Sequence, residues 1–188
     1  MKWLALTIGV LGMMVLVGCN QQAGQAPPAP HELTAGAIGH YCGMNLIEHN
    51  GPKGQIILAG RDDPVWFSSA RDAISFTMLP EEPKDIRAIY VSDMAKAPSW
   101  DDPGAANWVD AHKALFVIGS SMQGGMGAPE TVPFSDGAAA EKFAAEHGGR
   151  VVSFDQVPRD YVLGSEPASM SEGAGVHPQP EAGSSGSP

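Results

Sequence analysis

Cys19 is the residue that most constrains what this chain can fold into. It closes an apolar run, Trp3 to Val17, that follows Lys2 and contains no charged side chain. The run is about 15 residues long, against the roughly 20 that a bilayer-spanning helix needs. A positive start and that length read as the core of a secretory signal. Its end, Leu16-Val17-Gly18-Cys19, resembles a bacterial lipobox, in which a small residue precedes the cysteine that becomes the diacylated N-terminus. Residues 1–18 are thus expected to be a signal peptide that is removed. The rest is expected to be lipid-anchored through Cys19 on the periplasmic face of a bacterial membrane. The chain has 2 cysteines, so a lipidated Cys19 leaves Cys42 with no partner and no disulfide to staple the fold. Burial of apolar surface has to hold the body together.

Composition marks where that body lies. Behind the anchor, Asn20 to Pro30 is rich in Gln, Ala and Pro and shows no periodicity. It buries too little to offset the entropy of ordering, so residues 19–34 read as lipidated cysteine and flexible tether. Residues 165–188 are dominated by Ser, Gly, Pro, Ala and Glu and read as a disordered tail. The folded body is therefore expected at 35–164, a length that can bury a core without staples. A formal net charge of −10 argues against nucleic acid or an anionic lipid surface as partner. It suits attraction of cations, which is a weak signal in itself.

Within the body, two stretches look alike. Val65-Trp66-Phe67-Ser68 and Val132-Pro133-Phe134-Ser135 each end an apolar segment, and each is followed at the same distance by another phenylalanine, Phe76 or Phe143. Both read as a short extended segment, a Ser or Asp N-cap and an amphipathic helix. The second helix is expected over about 136–147, stopped by Gly148-Gly149. Strand-like runs surround the helices at 54–59, 86–91, 108–118 and 151–154. The expected fold class is α+β, with two similar strand-and-helix halves, a ββαβ-like duplication, in one compact body. The halves are placed at about 35–84 and 85–164.

The chemistry concentrates at His40-Tyr41-Cys42-Gly43-Met44. In an extended segment Cys42 and Met44 point the same way, and thiolate plus thioether selects copper(I) over zinc, calcium or magnesium. Both residue types are equally at home in a core, so the triplet by itself leaves inward packing open. A second sulfur source is the loop Met122-Gln123-Gly124-Gly125-Met126-Gly127, where glycines allow close approach of the backbone. His40, Asp93, Met94, His112 and His147 are further donors without a compact pattern. Paired CxxC or HxxxH zinc spacing is missing, as are GxSxG, a P-loop and a dinucleotide fingerprint. The chain therefore reads as a non-enzyme. Thiol-based redox or other soft-metal handling through Cys42, without copper delivery, is the alternative.

Four motifs, in order, carry a family resemblance: Tyr41-Cys42-Gly43-Met44, Trp66-Phe67-Ser68-Ser69, Tyr90-Val91-Ser92-Asp93-Met94 and Gly125-Met126-Gly127-Ala128-Pro129-Glu130. Together they resemble the NosL family, copper-binding accessory lipoproteins of nitrous oxide reductase, from about His40 to Leu163. The resemblance implies a periplasmic chaperone that binds one copper(I). It also implies delivery of that copper for the copper-sulfide cluster of nitrous oxide reductase, with the NosDFY ABC-transporter complex as a further partner. By the same resemblance the ligands map onto Cys42, Met44 and Met126, with Met122, His40 and Asp93 in reserve. The tail after Gly164 departs from the shared core.

Overall fold

The computed structural model describes residues 26–164. The signal segment 1–18, Cys19 and the tail 165–188 lie outside the described residues. Among the described residues, seven strands and three α-helices follow one another as β1 (Gly54–Leu58), β2 (Val65–Phe67), α1 (Ala70–Met78), β3 (Ile86–Ser92), β4 (Trp108–Asp110), β5 (Leu115–Ile118), β6 (Val132–Phe134), α2 (Gly137–His147), β7 (Arg150–Ser153) and α3 (Arg159–Leu163). The fold is α+β. Two antiparallel sheets have the orders β2-β1-β3-β4 and β6-β5-β7.

The repeat seen in the sequence is a repeat of topology. β1-β2-α1-β3 and β5-β6-α2-β7 are the same ββαβ unit, in which the first strand sits between the second and third. Each helix starts where the sequence supplies a cap. Ser69 Oγ accepts from the Asp72 amide at 3.0 Å and Asp136 Oδ1 from the Ala139 amide at 2.8 Å. The division between the halves differs from the expected one at residue 84. β3 pairs along its length with β1, so the first unit closes only at Ser92, and β4 is an additional edge strand on it.

One run read as a single strand, 108–118, is two strands in different sheets. After β4 the Asp110 carboxylate accepts the His112 amide at 3.0 Å, and its carbonyl accepts the Lys113 and Ala114 amides. That turn carries the chain from the first sheet to the second, as a side chain mimicking the backbone allows. The tether likewise differs from expectation. His31 is held by the buried side-chain amide of Gln55, which accepts from the His31 N–H at 2.8 Å and donates to its carbonyl at 2.9 Å. Tyr90 donates to the Pro28 carbonyl and Leu33 N–H to that of Ala105. One glutamine offering both donor and acceptor substitutes for a strand neighbour.

β5 explains how the halves share a core. Its residues alternate, as strand geometry requires. Phe116 and Ile118 join the cluster built on Phe67, Ile74, Phe76 and Val91, and Val117 faces the cluster of Val132, Phe134 and Ala140 under α2. α1 contributes Ala70, Ala73, Ile74 and Phe76, the spacing of one helical face. Full burial of Ile74 and Phe76 is worth about 1.5–3 kcal/mol each. A polar joint completes the assembly. Asp93, just past β3, accepts from Ser135 N at 2.8 Å, Ser135 Oγ at 2.5 Å, Ala95 N at 3.1 Å and Lys96 Nζ at 2.9 Å. Burial alone would raise this carboxyl; the Ser135 and Lys96 bonds outweigh it and hold it below the usual range.

Candidate metal centre

The site is built on two loops hung from the β2–α1 junction, one from each half. The first loop, 38–45, does not run extended through Cys42 as the sequence suggested. Ile38 and Asn45 form an antiparallel bridge, Gly39 N–H donates to the Met44 carbonyl at 2.9 Å, and Gly43 N–H donates to that of Gly39 at 2.9 Å. Cys42 thus stands in a tight turn, which His40 N–H fixes to the Trp66 carbonyl of β2 at 2.7 Å. The thiol is seated against Gly39, where a Cβ would lie 2.4 Å from Sγ. Only glycine leaves room for it.

His40 does not face the thiol. Its ring packs edge-on against Phe67 and Phe76, with centroids 5.8 and 5.6 Å away, and its Nε2 lies 3.3 Å from Glu82 Oε1. Tyr41 donates to the same carboxylate at 3.0 Å, and burial with Glu82 alongside pushes its phenol well above the ordinary value. These two residues fasten the turn to α1 and its following loop. They shape the site without pointing a donor into it.

The imidazole beside Cys42 is His49, which the sequence reading passed over. A single 3-10 turn, Leu46–Glu48, is capped by Asn45, whose side chain accepts the Ile47 N–H at 3.2 Å. That turn folds the chain back and sets His49 Nε2 3.9 Å from Cys42 Sγ. His49 Nδ1 lies 3.0 Å from the Gly125 carbonyl, which can only accept, so Nδ1 carries the proton. In the neutral ring Nε2 then turns its lone pair toward the thiol, the arrangement in which a second contact orients a metal-ligating histidine. An Asn cap followed by a lone His soon after Cys-x-Met was the available signal. It has no fixed spacing and resembles any surface histidine.

Gly125 belongs to the second loop. Gln123 bridges Pro129, Gly124 N–H donates to the Ala128 carbonyl and Gly127 N–H to that of Gly124, both at 2.9 Å, so Met126 stands at the tip of a tight turn. Its side chain is 52 % exposed and that of Met44 39 %. Neither thioether is used for core packing. Met122, by contrast, packs on the second core beside Trp100 and Phe143. Asp93 is engaged in the joint between the halves. The structure therefore gathers Cys42, His49, Met44 and the Met126 loop, and places His40, Asp93 and Met122 elsewhere.

Beneath the second loop lies Glu130, wholly buried. Its Oε1 accepts the Arg71 N–H of the first turn of α1 at 2.9 Å and the Thr131 N–H at 2.8 Å, a favourable place for a carboxyl at a helix N-terminus. Its Oε2 faces Gly124, where a Cβ would come within 2.3 Å. Burial outweighs these bonds and pushes Glu130 up to about 8. Lys53, also buried, is pulled down to about 8 by the same effect, against the pull of Glu130. Its ammonium donates to the His49 and Gly51 carbonyls at 2.6 Å each. Glu130 ties the end of the second loop to α1, and Lys53 holds the 49–51 segment that carries His49. Among the described residues, no three His, Cys, Asp or Glu side chains group closely enough to hold a metal ion; Met44 and Met126 are the exposed methionines of the two loops.

Comparisons with known proteins agree with this architecture. The NosL family model matches residues 30–162. The copper-binding lipoprotein NosL of Achromobacter cycloclastes is 43 % identical over 166 residues, covering 85 % of this chain and 86 % of the relative. That of Stutzerimonas stutzeri is 32 % identical over 174 residues, covering 90 % and 86 %. The crystal structure of the copper chaperone NosL from Shewanella denitrificans superposes with a TM-score of 0.66 at 32 % identity, over 72 % of this chain and 98 % of that one. The chain belongs to the NosL family.

Proposed function

We propose that this chain is a lipid-anchored copper(I) chaperone of the periplasm, holding one ion between Cys42, His49, Met44 and Met126. The observation that carries the reading is the 3.9 Å approach of His49 Nε2 to the Cys42 thiol, with exposed methionines on both neighbouring loops. Thiolate, thioether and imidazole form a soft set that suits copper(I) in low coordination. A copper(I)–thiolate pair has no net charge, so holding it half-buried costs little desolvation. The two loops share no covalent link near the site, so lifting the 122–130 loop opens the ion to an acceptor. The relatives' names, copper-binding lipoprotein and copper chaperone, support the same reading.

The recipient in this proposal is nitrous oxide reductase, whose copper-sulfide cluster would be assembled with copper passed through the NosDFY complex. A lipid on Cys19 would hold the donor near that membrane complex. Anaerobic copper(I) titration against a chromophoric chelator tests the site: one equivalent is expected for wild type and loss of tight binding for Cys42→Ser. Equal affinities would overturn the assignment. For delivery, the loaded chain incubated with NosDFY, ATP, a sulfide source and apo-reductase should generate the cluster's absorption, and the Cys42→Ser chain should not.

A further inference from the structure

Two methionines and a histidine that the thiol site leaves aside meet against the core of the second half. Met94 follows β3, Met122 opens the loop after β5, and His147 ends α2. Backbone bonds bring these points together: Met94 N–H donates to the Pro133 carbonyl and Ser121 N–H to that of His147, both at 2.9 Å. With Trp100 and Phe143 they line an open cavity of about 320 Å³. The Trp100 and Phe143 rings stack with centroids 6.3 Å apart and planes at 16°, and Phe143 lies 4.4 Å from the His147 ring. Gly51 N–H donates to the Trp100 carbonyl at 2.8 Å, holding the indole segment against the first half.

The donor chemistry of this wall is selective. No carboxylate lines it, so calcium and magnesium find no hard ligand there. Two thioethers and one imidazole suit a soft monovalent cation, and an indole face adds cation–π attraction of about 0.5–2 kcal/mol. Thioether side chains turn on several rotatable bonds and can close on an ion without backbone movement.

We propose that Met94, Met122 and His147, faced by Trp100, form a second copper(I) site, weaker than the first because it lacks a thiolate. It shares no donor with the Cys42 centre and would hold a second ion when copper is in excess.

The test uses the Cys42→Ser chain with methyl-¹³C-methionine and silver(I), a diamagnetic soft monovalent probe. The Met94 and Met122 methyl resonances are expected to shift together and saturate. Met122→Leu, which conserves volume, and His147→Gln should each weaken that response about tenfold or more. Methyls that stay in place through several equivalents of silver(I), or a Met94 shift undiminished in both variants, would overturn the proposal. In the wild type, Met44 and Met126 methyls report on the thiol site separately, so the two readings stand or fall apart.

Discussion

Gly125→Ala tests how the second loop is seated. The added Cβ would stand 2.6 Å from His49 Cβ, 3.0 Å from His49 Cγ and 3.0 Å from the Ser68 carbonyl oxygen. None of these atoms is the free end of a flexible side chain, so the loop has to lift. Lifting breaks the His49–Gly125 hydrogen bond, worth about 0.5–1.5 kcal/mol, and leaves the imidazole without its orienting contact. Overpacking adds about 1–3 kcal/mol if the loop stays; relaxation converts most of that into displacement of Met126. Loss of about 1.4 kcal/mol of binding corresponds to a tenfold weaker copper(I) complex. Competition with a chromophoric copper(I) chelator under anaerobic conditions measures this directly. If Gly125→Ala acts by carrying Met126 away, adding Met126→Leu should cost little more, a non-additivity that a double-mutant cycle reads. A folded Gly125→Ala chain with unchanged affinity, or fully additive losses, would refute the reasoning.

Three further outcomes follow from the same geometry. Glu130 is held in its protonated form up to about 8, and its stabilisation is complete below the ordinary value of 4.5 and lost as pH rises through about 8. Glu130→Gln should therefore flatten the decline in urea midpoint between those pH values; a parallel decline in both chains would contradict this. Asp93→Ala strands the part-buried Ser135 and Ala95 amides and should destabilise the fold by about 2 kcal/mol in urea unfolding. Because the Asp93 carboxyl is held low, its contribution in the wild type is present above the ordinary value of 3.8 and fades as acid protonates it. His40→Ala should leave copper(I) affinity within about twofold while lowering stability by about 1 kcal/mol through lost ring packing; a large loss of affinity would return His40 to the ligand set.

The parts of this fold that were legible in sequence are those with local causes. Phe67 and Phe134 repeat because each ends a strand that enters a capped helix, and Ser69 and Asp136 announce the caps. What stayed hidden depends on long-range partners. The Asp110 turn that splits 108–118 places β4 and β5 in different sheets, which apolar content alone does not distinguish. The first half reaches to Ser92 because β3 pairs with β1, a pairing that no local pattern marks. His49 was missed because its place beside Cys42 comes from a 3-10 turn and from a carbonyl of Gly125 in the other half. Met126 falls in the family motif and Met122 outside it, but that Met122 packs on a core cluster while Met126 stays exposed is set by long-range contacts of one tight loop.

The seat of Cys42 against Gly39 has a consequence for survival of the thiol under oxidising conditions. Sγ occupies the space that a side chain at position 39 would fill, and the residue is only half open to solvent. Thiol–disulfide exchange needs an incoming sulfur in line with the bond that breaks, together with the bulk of the molecule carrying it. A bare ion needs far less room. That seat is therefore expected to slow capture by glutathione-sized disulfides more than entry of a metal ion. Gly39→Ala, by turning the thiol outward, would trade metal retention for oxidation, and mass spectrometry of mixed disulfides after exposure to oxidised glutathione would record that trade.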